Sequence, residues 1–130
     1  MSVLTTDVTN NKSIPKMLTH ESLRKIASEN PDGFTVDLKG NMVNASYKSK
    51  WVIARKETQD NTIEEWDNVI RWASQSRHVG GWTDEKTGKV YIDAVDVYDS
   101  SFELPEILAI AKERGQIAVY DLVNQETTYL

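Results

Sequence analysis

The chain has 130 residues, a net charge of −5 and no cysteine. Its length suits one domain and allows burial of roughly two-thirds of the unfolded surface without covalent staples. The lack of cysteine excludes disulfides, cysteine zinc sites and thiol nucleophiles, and is compatible with a reducing cytoplasm.

Four Trp, five Tyr and two Phe supply large core pieces and argue against wholesale disorder. No apolar run reaches the ~18–20 residues of a membrane span. The first seven residues carry neither the basic nor the apolar region of a secretion signal. The expectation is a cytoplasmic protein with no membrane partner. Charge is unevenly spread. Residues 1–83 hold ten acids and eleven bases, whereas residues 84–130 hold ten acids against Lys86, Lys89, Lys112 and Arg114. The acidic last third would repel a phosphate backbone, which disfavours direct nucleic-acid binding.

Residues 1–16 are polar and without period, and read as a flexible arm ahead of a domain over 17–130. Thr19 can cap a helix over about 20–29, with Leu23, Ile26 and Ala27 at helical spacing. Asn30-Pro31-Asp32-Gly33 stops it. Phe34-Thr35-Val36-Asp37-Leu38 alternates like a half-buried strand. After the turn at Lys39-Gly40-Asn41, a strand partner is expected within 42–55, best at Trp51-Val52-Ile53-Ala54. Thr62 and Glu65 form a capping box for a helix over about 63–76, whose stripe is Ile63, Trp66, Val69, Ile70 and Ala73.

His78–Thr83 and Val90–Val97, joined by a turn ending in Gly88, form the clearest hairpin. A helix follows over about 102–114, with Leu104, Ile107, Leu108 and Ala111 inward and Gly115 as its stop. Ile117–Leu122 and Thr127–Leu130 read as the last strands. The α-β-β order, repeated three times, predicts an α+β fold. One mostly antiparallel sheet of five or six strands is expected, with two or three helices packed on it.

The run Val79-Gly80-Gly81-Trp82, then Gly88-Lys89-Val90-Tyr91-Ile92-Asp93, Glu113-Arg114-Gly115-Gln116 and Tyr120-Asp121-Leu122, resembles a family of uncharacterised proteins encoded by bacteriophages and mobile elements. Gly33-Phe34-Thr35-Val36 matches an early strand of that family. The resemblance implies a phage or mobile-element origin and residence in the host cytoplasm. It also implies a role in binding, and possible inhibition, of a host protein complex. It supplies no catalytic residues.

Candidate chemistry is sparse. Asp93, Asp96, Asp99, Glu103 and Glu106 form an acidic series, read either as solvated acids, with Asp99, Glu103 and Glu106 favoured near a helix start, or as a partner-binding face. Asp93 and Asp96 would point to opposite sides of a strand, so they are not an acid–base couple. The series lacks the spacing of a calcium loop, and no metal site is expected. Trp72, flanked by Arg71 and near Arg77, is a candidate aromatic–basic anchor. Tyr47, Lys48, Lys50, Trp51, Arg55 and Lys56 form a basic cluster suited to an edge strand. His20 and His78 lack partners at catalytic spacing. Gly80-Gly81 has no phosphate-loop context and suits a bulge or a helix packed close to the sheet.

The resulting expectation is a non-catalytic protein with no cofactor that binds a host protein. One alternative is a small-molecule or nucleotide binder or enzyme, with a pocket between sheet and helices lined by His78, Trp82 and Tyr91. Another is a phage assembly component, for which self-association through the last strand would be natural.

Overall fold

In a computed structural model, residues 17–116 and 118–130 are described. The expected arm at 1–16 lies outside them. Among the described residues, three α-helices and six strands follow one another as α1 (His20–Glu29), β1 (Phe34–Asp37), β2 (Trp51–Ala54), α2 (Trp66–Ser76), β3 (His78–Thr83), β4 (Val90–Tyr98), α3 (Leu104–Glu113), β5 (Ala118–Asp121) and β6 (Glu126–Tyr129). All strands join one antiparallel sheet in the order β1-β3-β4-β2-β5-β6. The α+β class and the α-β-β rhythm are as the sequence predicts.

Local signals account for the helices. Thr19 and Ser22 cap each other's backbone at the start of α1. The Thr62–Glu65 box opens a 3-10 turn that runs into α2, with the Thr62 N–H donating to Glu65 at 3.0 Å. The stripes then meet the sheet. Leu23 and Ala27 of α1 and Val69 and Ala73 of α2 pack on Phe34, Val36, Val79, Ile92 and Ala94. Ile107 and Ala111 of α3 pack on Trp51, Ile53 and Val119. Register and strand alternation put all these strand residues on one side, so the three helices share one face of the sheet.

Strand pairing departs from the sequence expectation in one respect. β1 does not pair with β2; the β3–β4 hairpin is inserted between them. Met42 instead bridges back to Val36, and the Val43 N–H donates to the Thr35 carbonyl at 2.9 Å, covering the β1 edge. β2 lies in the interior of the sheet, so its neighbouring basic residues do not guard an edge. Trp51 is buried with its indole N–H on the Phe102 carbonyl at 2.9 Å, and the Lys50 ammonium sits 4.7 Å from the Trp51 ring centre.

Gly80 and Gly81 mark neither a bulge nor a helix contact. Residues 78–83 pair with β4 in unbroken register. Gly81 faces the helices, and its missing side chain is replaced by the Phe34 ring. Gly80 faces the other way, beneath Asp93 and Val95.

Candidate functional site

On the face of the sheet that carries no helix among the described residues lies a wide, half-open groove of about 1040 Å³. Thr35, Gly80 and Asp93 form one cross-strand row on this face, and Trp82 and Tyr91 form the next. Val52, Val95 and Tyr120 extend the floor toward β5. Met42–Ala45, from the covered β1 edge, and residues 59–61 also line it.

Those last residues belong to a detour between β2 and α2. The chain leaves β4 after the Arg55 N–H bonds to the Ala94 carbonyl, and returns where the Ile92 N–H donates to the Asn61 carbonyl. Fully buried Thr58 fills the gap: its hydroxyl accepts from the Ala94 N–H at 3.0 Å and donates to the Arg55 carbonyl. The backbone is thereby satisfied without a continuous strand.

Asp93 is the unusual side chain of the groove. Among the described residues it forms no ion pair and no hydrogen bond, and burial pushes its carboxyl up to about 7. Protein atoms crowd around the carboxyl, and its oxygens still meet solvent at the groove mouth. Gly80 makes this possible. A Cβ there would lie 3.2 Å from Asp93 Oδ1 and 3.1 Å from Val95 Cγ1. Beside Asp93, Trp82 and Tyr91 stack with ring centres 5.1 Å apart and planes 20° apart, and Trp82 stays 50 % exposed. Asp32, Asp60 and Asp84 line the same groove, and no Lys, Arg or His lines it among the described residues.

The acidic series expected to form one face is divided among different tasks. Asp93 enters the groove. Asp96, three residues on, points to the helix side and lies between two guanidinium groups: Arg55 Nε donates to Oδ2 at 3.0 Å and Arg114 Nη1 at 2.5 Å. Burial alone would raise the Asp96 carboxyl, but hydrogen bonds from Arg55 and Arg114 outweigh it and hold the group below its usual range. Asp99 is exposed and accepts from the Ser101 backbone N–H at 2.9 Å. Glu103 and Glu106 form the capping box of α3, with the Glu103 N–H on Glu106 at 2.8 Å. Among the described residues, no three His, Asp or Glu side chains converge as a metal ion would need.

The aromatic–basic anchor is likewise taken apart. Trp72 is half-buried against the core of α1, α2 and the sheet, while Arg71 and Arg77 remain exposed. Arg77 adopts the left-handed conformation that ends α2.

Asp96 therefore reads as a structural counter-ion. Replacing it with alanine leaves two half-buried guanidinium groups facing each other, and should cost roughly 2–3 kcal/mol in urea denaturation at pH 7. The sign follows from its lowered acidity: the contribution is present above the unfolded carboxyl range and disappears as pH falls through the folded one. A loss under 0.5 kcal/mol, a size typical of about any surface site, would show that the pair is only superficial.

Sequence reasoning names Trp82 and Tyr91 as pocket residues but puts the pocket between sheet and helices and includes His78. The groove lies on the opposite face, and His78, one row away, does not line it. The missed signal was arithmetic. Pairing Thr83 with Val90 across the turn sets Gly80 opposite Asp93, an acid with no side chain across from it. Among the described residues no helix is long and apolar enough to cross a membrane. The chain matches no protein-family model, no curated protein and no solved structure.

Proposed function

We propose that the protein is a ligand-binding protein whose site is the helix-free groove. The observation that carries this reading is the unpaired Asp93 carboxyl, held at the floor of a groove with an exposed aromatic stack beside it. A half-buried acid without a partner costs stability, and such groups concentrate where a ligand or reaction uses them. The groove volume is at the upper end for small-molecule sites, and apolar side chains such as Val52 and Val95 lie beside the polar ones in its lining.

The test is thermal unfolding across a panel of amines, nucleosides and carboxylates, on the native chain and on Ala45→Trp. Ala45 is an exposed residue lining the groove, where an indole would obstruct it. A ligand that raises the melting temperature of the native chain but not of the variant is the expected result. An equal rise in both would put the site elsewhere.

A second reading is docking onto a host protein, the role that the phage resemblance implies. It is supported by β6, an edge strand beside which Val123, Tyr129 and Leu130 are each more than half exposed. Unshielded edges of this kind accept a strand from another chain. Proline at Thr127, whose N–H points away from β5, should abolish capture of a host protein if that edge is used; undiminished capture would remove β6 from consideration.

A further inference from the structure

We infer that the groove takes a small organic cation with a flat apolar body, its charged group set against Asp93 and its body against the exposed face of Trp82. This rests on the groove being the ligand site and adds the chemical class of the ligand.

Charge is the first ground. Asp32, Asp60, Asp84 and Asp93 line the groove with no basic side chain beside them among the described residues, which favours a positive ligand and repels an anion. Position is the second. Asp93 has the room Gly80 leaves it, and no protein group competes for its oxygens among the described residues. A ligand's ammonium or amidinium would supply the missing counter-charge.

The aromatic pair is the third ground. Trp82–Tyr91 is the neighbouring row on the same face, two residues along the strands and so about 7 Å from the Gly80–Asp93 row. A ring joined to a charged group by a short link spans that distance. The ring can stack on Trp82, and the positive end gains from the π-face as well. A hard metal ion fits less well, because it needs several converging oxygens and among the described residues no three acidic or His side chains converge.

Tryptamine and its neutral counterpart tryptophol make the test, titrated into the full chain and followed by backbone amide shifts. At about pH 8.5, where Asp93 is ionised, tryptamine should shift the amides of Gly80, Trp82, Tyr91 and Asp93. It should bind at least about tenfold more tightly than tryptophol. Trp82→Ala should weaken both.

The preference should shrink at about pH 5.5, where Asp93 is protonated, and should be absent at either pH in Asp93→Asn. Other titrating groups near Asp93 are Asp60 beside the detour, Asp32 and Asp84 of the loops, Tyr91 on β4, and Asp37 and His78 one row away. All remain in Asp93→Asn, so a pH-dependent preference persisting there would overturn the assignment to Asp93. Equal affinity for tryptamine and tryptophol, with shifts still in the groove, would overturn the cation inference and leave the groove reading intact. Shifts confined to other surfaces would overturn both.

Discussion

Asp93→Asn should make the protein more stable at neutral and alkaline pH, by roughly 2–4 kcal/mol, with a melting temperature on the order of 10 °C higher. The folded chain holds this carboxyl at about 7, against 3.8 for a free aspartate, because burial penalises its charge. Each unit of difference corresponds to about 1.4 kcal/mol, so the full penalty is about 4 kcal/mol, less whatever water at the groove mouth relieves.

The sign can be followed through the titration. Well below pH 3.8 the group is protonated in both folded and unfolded chains, and it costs nothing. Between 3.8 and about 7 only the unfolded chain releases the proton, so the fold loses stability as pH rises. Above about 7 the penalty is complete and constant. The difference between native and variant in urea denaturation should therefore grow over that interval and then level. Lowered carboxyls such as Asp37, Asp96 and Asp121 are common to both proteins and cancel in the difference. A difference that does not change with pH would show that Asp93 is solvated.

Gly81→Ala should destabilise the protein by about 3 kcal/mol or more, read as a lowered midpoint in chemical denaturation. An added Cβ would stand 2.5 Å from Phe34 Cζ, 2.7 Å from Phe34 Cε2 and 2.8 Å from the Tyr91 carbonyl oxygen. The ring could turn only by opening the core around Phe34, and the carbonyl could retreat only by distorting the β3–β4 ladder. Gly80→Ala should cost less, about 1 kcal/mol, since its nearest neighbours are side-chain atoms at 3.1 and 3.2 Å. It should also displace the Asp93 carboxyl. Similar small losses in both variants would mean that Phe34 does not lie over Gly81.

The starts of α1 and α2 and the β3–β4 hairpin were legible in the sequence because their causes are local. Thr19 with Ser22, and Thr62 with Glu65, satisfy helix N–H groups three residues away. The turn before Gly88 and the alternation on both sides of it set the hairpin. Alternation also showed that Asp93 and Asp96 point to opposite faces. It could not show which face the helices cover, since that is settled by how the stripes of α1, α2 and α3 fit the whole sheet.

Tertiary structure alone decided the rest. The insertion of β3–β4 between β1 and β2 carries Arg55 to Asp96 across 41 residues, while α3 carries Arg114 there across 18. The same strand order leaves the opposite face without a helix among the described residues and places Asp93 on it. Adjacent residue types and spacing dictated the elements; pairing between distant strands dictated which of two neighbouring acids was neutralised by two guanidinium groups and which faces the groove.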